Sequence, residues 1–154
     1  MYRFTAASVL LLAIASIGYT QTAKPPANLP RASYSKDQAG QGKVLYEQFC
    51  AKCHMENLKG NCPAEDLSST AYVCAAPGSA PPLAGASFQQ RFYSVGDLYA
   101  RVKWTMPANK VNSLSVADNL KIIAYLLQAN GIAAGTQDLK ESNAMKSMAI
   151  VERN

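Results

Sequence analysis

Two cysteines and a histidine lie within one short stretch, Cys50-Ala51-Lys52-Cys53-His54. Thiols at this spacing on a helical turn point the same way, so both can add to the two vinyl groups at one edge of a single porphyrin. The histidine that follows can bring an imidazole nitrogen to the iron. This C-x-x-C-H motif is the attachment signature of haem c. It predicts one covalently bound haem c, held by Cys50 and Cys53, with His54 as an axial iron ligand.

Two other kinds of site use cysteines at similar spacing. A thioredoxin-type redox pair requires the C-x-x-C motif beside a βαβ unit, and this sequence has no alternating run long enough for a strand. A structural zinc site could combine the motif with Cys62 and Cys74, but those two cysteines are much further apart than the usual ligand pair. A chance match is the remaining alternative, and haem c is the prediction.

The second axial ligand of the haem iron is inferred from the absence of a second histidine. His54 is the only histidine, which excludes any site that needs two, so the ligand opposite it is sought among the methionines. Met55 is too close to His54 to reach the opposite face of the ring, and Met145 and Met148 lie in a polar C-terminal stretch. Met106 lies between two predicted helices, where its thioether could cover the iron. His/Met ligation leaves no open position and therefore favours one-electron transfer.

Three segments have apolar residues at helical spacing, and they must position these ligands. The last of them is preceded by Ser115, a candidate N-cap, and followed by Gly131, a candidate C′ residue. The predicted helices are Asp37–Cys50, Ser94–Trp104 and Val116–Asn130. Residues from about Glu56 to Ala86 are rich in Gly, Pro, Ser and Asn without a sustained period, so we expect them to be organised by something other than secondary structure.

The two ends of the chain differ in composition from this core. Residues 1–23 read as a signal peptide, with Arg3 before an apolar stretch and a cleavage site between Gly18 and Ala23. Residues 24–35 are a Pro-rich leader expected to be extended and solvated, 36–133 the folded domain, and 134–154 a loose tail. We therefore predict a periplasmic protein, with a retained membrane anchor as the alternative to cleavage.

The charge balance is modest. Lys and Arg number 15 against 10 Asp and Glu, a formal net charge of +5, and the basic residues are interspersed with acidic ones. An exported chain with this balance is not expected to bind nucleic acid. Five basic residues lie in sequence near the C-x-x-C-H motif or near Met106: Lys43, Lys52, Arg101, Lys103 and Lys110. They are candidates for steering an acidic partner towards the protein. The alternative is that they are ordinary solvated charges.

The core resembles the class I cytochrome c family. In that family a glycine and an aromatic residue precede the first haem cysteine, as Gly42 and Tyr46 do here, and a second helix carries a patch like Ala124-Tyr125-Leu126. The segment Ala80–Gly85 is similar to the family's Gly-Pro-x-Leu-x-Gly, with alanine in place of the first glycine, and Met106-Pro107 matches its Met-Pro pair.

This resemblance implies an all-α cytochrome c fold, in which three to five short helices and long loops surround one covalent haem. It also implies that the Pro81 carbonyl accepts a hydrogen bond from His54 and that Met106 is the second iron ligand. Arg91, Tyr99 and Trp104 are candidates for haem packing or propionate contacts, with packing in the core as the alternative. Cys62 and Cys74 lie outside the family pattern, and we expect them to form a disulfide with each other, with free thiols as the alternative.

The segments around Pro81, Met106 and Tyr125 are most similar to cytochrome domains that accompany bacterial quinoprotein (PQQ-dependent) alcohol dehydrogenases. The resemblance implies an electron carrier, not itself an enzyme, that works alone or as a dehydrogenase subunit. A quinoprotein dehydrogenase would be the donor and a terminal oxidase or another cytochrome the acceptor. The alternative is a haem c enzyme or ligand-binding haem protein with an open iron position.

Overall fold

A computed structural model of the chain describes residues 32–62, 74 and 78–150. The predicted signal peptide and most of the predicted leader lie outside the described residues. The described part is helical and contains the 3₁₀-helix Asn143–Ser147 and five α-helices: α1 (Lys36–Phe49), α2 (Ala51–His54), α3 (Ala86–Arg91), α4 (Val95–Thr105) and α5 (Val116–Ala129). The predicted all-α class is confirmed, and the arrangement is consistent with a cytochrome c fold. None of these helices is long and apolar enough to cross a bilayer.

Helices α1 and α5 form the main packing contact of the fold. Gly42 lies at their crossing, where a Cβ would come within 1.8 Å of the Lys121 carbonyl oxygen. Only a glycine therefore allows the two backbones to approach this closely. One turn later the rings of Tyr46 and Tyr125 pack with their centroids 5.2 Å apart. This crossing fixes the end of α1, from which the C-x-x-C-H motif continues.

Helix boundaries follow the capping residues. Ser94 and Asp97 form a capping box at the start of α4, and the Ser115 hydroxyl accepts the N–H of Asp118 at the start of α5. Gly131 has a φ of 79°, which suits the residue after a helix C-cap. The three helices predicted from periodicity are present, each within about two residues of its predicted ends. Helix α3 was not predicted, because a six-residue helix is too short to show a period.

The C-terminal segment differs from the prediction of a loose tail. Leu139, Met145 and Ile150 are almost fully buried in the main core. The side chain of Gln38 on α1 donates to the Leu139 carbonyl at 2.9 Å and accepts the Leu139 N–H at 2.7 Å. The Val95 N–H donates to the Met148 carbonyl at 2.9 Å. The C-terminal segment therefore packs against both α1 and α4. A few apolar residues in this otherwise polar stretch are enough to anchor it in the core.

The end of the leader also differs from its predicted solvated state. Ala32 and Tyr34 are 4% and 1% exposed, and the Tyr34 hydroxyl donates to the Ile132 carbonyl. The backbone of Ala32 donates to the Ala149 carbonyl, so the leader lies against the C-terminal segment. The predicted solvation is therefore wrong for Ala32 and Tyr34, because the neighbouring segment covers them.

Candidate functional site

The cysteine motif forms a single turn at the junction of α1 and α2. The Cys50 carbonyl accepts the N–H groups of Cys53 at 3.1 Å and His54 at 2.9 Å, so all three residues belong to one helical turn. Both thiols are free, with Cys50 partly buried and Cys53 exposed. Burial, together with the charge of Cys53, raises the pKa of Cys50 to about 11. The turn thus places two free thiols directly before His54.

His54 is buried, and its ring is held by one backbone contact. Its Nδ1 atom lies 2.8 Å from the Pro81 carbonyl oxygen, which can only accept, so Nδ1 carries the proton and Nε2 keeps a free lone pair. Burial lowers the pKa of His54 and the nearby Arg91 charge lowers it further, while the Pro81 contact acts in the opposite direction. The neutral imidazole is the form that binds a metal ion.

Gly60 brings the segment containing Pro81 close to His54. Its φ is 63°, and a Cβ at this position would lie 2.2 Å from the Ala80 carbonyl oxygen and 2.7 Å from the Pro81 carbonyl carbon. Its N–H donates to the His54 carbonyl at 3.0 Å. Sequence reasoning did not identify Gly60 as a site residue, because a glycine in a Gly- and Asn-containing loop indicates only a turn.

Met106 is the C-cap residue of α4, where its N–H donates to the Val102 carbonyl and its side chain is partly buried. The loop that follows is tied to α5 by Asn119, a buried residue that was not singled out from the sequence. Its Nδ2 lies 3.3 Å from the Leu114 carbonyl oxygen, while its Oδ1 has no hydrogen-bond partner among the described residues. Met145, by contrast, is packed in the core at 2% exposure. The assignment of Met106 as an iron ligand stays a prediction.

The three candidate haem contacts lie in different environments. Arg91 donates through Nε to the Ser87 carbonyl at 3.1 Å and through Nη2 to the carbonyl of Pro82, next to Pro81. The Tyr99 hydroxyl donates to Glu141 of the C-terminal segment at 2.6 Å. Trp104 is 60% exposed, so the alternative of core packing is wrong for this residue. Whether any of the three contacts a haem stays a prediction.

Cys62 and Cys74 form a disulfide with a Cα–Cα distance of 5.4 Å. The alternative of free thiols is therefore wrong, and neither cysteine is available for the zinc site considered above. Within the ranges that the structure describes, no three His, Cys, Asp or Glu side chains cluster in a way that could hold a metal ion.

Two of the candidate steering lysines have acidic neighbours. Lys43 lies 3.6 Å from Glu47 on the same helix, and Lys103 lies 3.4 Å from Glu141. Ion pairs of this kind on the surface contribute little to stability, but they reduce the positive potential that either lysine offers to a partner.

Comparisons with known proteins do not assign this chain to a family. No family model matches the chain, and no curated protein matches it in sequence. A solved structure, that of the sulfane dehydrogenase SoxCD from Paracoccus pantotrophus, aligns with a TM-score of 0.44 and 20% sequence identity over 80% of this chain and 62% of the matched chain. A likeness at this level does not bear on function.

Proposed function

We propose that this chain is an electron-transfer protein that binds one haem c covalently through Cys50 and Cys53, with His54 and Met106 as axial ligands. The observation that carries the proposal is the single turn in which two free thiols precede a buried histidine whose Nδ1 is held by Pro81. This donor set fits the group that the motif predicts, because each residue offers the atom that covalent attachment or ligation requires.

Each residue has a defined chemical part in that proposal. Cys50 and Cys53 would each hold the haem through a thioether: the S–H group would add across one vinyl double bond, sulfur to one carbon and hydrogen to the other, so no oxidant would be needed. His54 donates from Nδ1 to the Pro81 carbonyl, and this contact fixes the tautomer and leaves Nε2 as the nitrogen that would bind the iron. When bound, the haem supplies one-electron Fe(II)/Fe(III) chemistry, and the protein contributes ligation, burial and docking.

The compartment and the partners belong to the same proposal. An apolar N-terminal stretch after Arg3 and a disulfide between Cys62 and Cys74 both support export to an oxidising space such as the periplasm. There the chain would work as a carrier or as the cytochrome subunit of a dehydrogenase, with a quinoprotein dehydrogenase as the proposed donor. Purification of the exported chain with its bound partners would test the choice between carrier and subunit.

Covalent attachment is tested by producing the full chain in a host with an active haem c maturation system. Haem staining after denaturing electrophoresis should label the wild-type chain and be lost when Cys50 and Cys53 are both replaced by alanine. The matched control replaces Cys62 and Cys74 by alanine and should keep the stain. A wild-type chain that carries no covalent haem would overturn the proposed function.

The second axial ligand is tested with two methionine variants. In Met106→Leu we expect loss of the red-edge charge-transfer band of the oxidised protein and rapid binding of CO to the reduced protein. The matched control, Met148→Leu, changes a methionine in the C-terminal segment and should leave both properties as in the wild type. A wild-type protein that is high-spin, or that binds CO rapidly, would instead support the alternative of an open iron position.

A further inference from the structure

Asn61 contacts both backbone groups of Ala80, the residue directly before Pro81. The Asn61 N–H donates to the Ala80 carbonyl at 3.0 Å, and the Asn61 Oδ1 accepts the Ala80 N–H at 2.8 Å. Ala80 is 5% exposed, so few water molecules can replace these two bonds. A single exposed side chain therefore satisfies a buried backbone group in the segment that faces His54.

The same loop is bonded to the other side of Pro81 and to His54 itself. The Leu83 N–H donates to the Leu58 carbonyl at 2.8 Å, and the Gly60 N–H donates to the His54 carbonyl at 3.0 Å. Residues 58–61, which we call the proximal loop, thus connect the backbone of His54 with the residues on both sides of Pro81. The disulfide at Cys62 follows immediately and limits the freedom of the loop's end.

Pro81 depends on these neighbouring contacts more than another residue would. A proline has no N–H group, so it cannot anchor its own backbone by donating a hydrogen bond. Its carbonyl oxygen is already the acceptor for Nδ1 of His54. The position of that oxygen is therefore set through its neighbours, namely Ala80 and Leu83, which the proximal loop holds, and Pro82, whose carbonyl accepts from Arg91.

We propose that Asn61 is a positioning residue for His54, acting through Ala80 to keep the Pro81 carbonyl on the Nδ1 proton. The proposal rests on the proposed function, because the consequence is the basicity of His54 as an iron ligand. A firm hydrogen bond at Nδ1 makes the imidazole a stronger donor to the metal. Loosening it makes the imidazole a weaker donor, stabilises the oxidised iron less and raises the reduction potential.

The test uses the haem-loaded full chain and measures exchange of the His54 Nδ1 proton with solvent by NMR, together with the reduction potential. Loss of one hydrogen bond of typical net strength corresponds to about fivefold in an equilibrium constant. We therefore expect Asn61→Ala to exchange this proton about fivefold faster and to raise the potential. Asn61→Asp keeps the acceptor at the same place, so its exchange rate should return towards that of the wild type.

The matched control is Asn57→Ala. Asn57 is an exposed asparagine close to Asn61 in sequence, and its Oδ1 accepts the N–H of Lys59 at 3.0 Å, a contact within its own turn. We expect this variant to leave both the exchange rate and the potential unchanged. Asn61→Ser, which is too short to reach Ala80, provides the same comparison if the alanine variant does not fold.

The possible results separate the two proposals. If the wild type carries haem but Asn61→Ala matches Asn57→Ala in exchange and in potential, the positioning role is overturned and the proposed function stands. If the wild type carries no covalent haem, the proposed function fails and the positioning role fails with it. A uniform increase in exchange at all amides in Asn61→Ala would indicate lost global stability and would also overturn a specific role.

Discussion

Replacing Gly42 by alanine should separate the two helices that form the core. The added Cβ would lie 1.8 Å from the carbonyl oxygen and 2.4 Å from the carbonyl carbon of Lys121, whereas ordinary contacts begin near 3.4 Å. The helices would have to move apart by about 1.6 Å at this point. Because both obstructing atoms belong to the backbone, no side-chain rotation can relieve the contact.

The expected cost follows from this geometry. Overpacking a core costs about 1–3 kcal/mol, and a clash between rigid backbones belongs at the upper end of that range. Alanine recovers about 1 kcal/mol through its better helix propensity, so we expect a net loss of about 2 kcal/mol. Separation of the helices would also weaken the contact between Tyr46 and Tyr125, whose ring centroids are 5.2 Å apart.

Urea unfolding monitored by circular dichroism measures this loss. With a slope typical of small domains, a net 2 kcal/mol lowers the midpoint by about 1–2 M urea. The matched control is Gly40→Ala, two residues earlier on α1, where an added Cβ meets nothing within 4 Å. That variant should gain about 0.5–1 kcal/mol and raise the midpoint.

Two results would refute the reasoning. One is a Gly42→Ala protein as stable as the wild type, which would mean that the helices do not cross closely at this glycine. The other is an equal loss in Gly40→Ala, which would show that the loss in Gly42→Ala does not come from the contact with the Lys121 backbone. Unequal slopes of the unfolding curves would show that the two variants do not share one two-state transition.

Three further predictions concern polar groups. Gln38→Ala should lower the free energy of unfolding by about 2 kcal/mol, because it leaves the N–H and carbonyl of Leu139 without their partner; chemical denaturation measures the loss. In haem-free protein, the free energy of unfolding should fall as the pH drops below about 6.5. Burial lowers the pKa of His54 in the folded chain, so the unfolded chain takes up the proton first. Haem-free protein at pH 8 should be alkylated by iodoacetamide at the exposed Cys53 well before Cys50, as mass spectrometry would show, since the pKa of Cys50 is raised to about 11.

Each of these predictions has its own control. Gln41→Ala removes an exposed glutamine from the same helix and should be nearly neutral, so an equal loss there would contradict the role of Gln38. His54→Gln should remove the fall in stability below about pH 6.5, and persistence of that fall would assign it to other groups. Equal alkylation rates for the two cysteines would show that burial does not protect the Cys50 thiol.

Much of the site's chemistry is determined by the sequence. The motif from Cys50 to His54 specifies two thiols and an imidazole on one turn, because local spacing alone decides which side chains share a turn. The main helices were predictable for the same reason: their apolar period and their caps at Ser94 and Ser115 are local properties. The predicted disulfide between Cys62 and Cys74 is present in the structure.

The tertiary structure decided the contacts between distant segments. Asn61 connects the proximal loop to Ala80 by hydrogen bonds. Gln38, near the start of the folded part, is hydrogen-bonded to Leu139, near its end. A polar residue in a turn looks the same whether its partner is water or a buried backbone group, so no local pattern marks these bonds. The prediction of a loose C-terminal tail is wrong for that reason. Spacing determined which atoms this protein offers, and the long-range packing of the chain determined how firmly they are held.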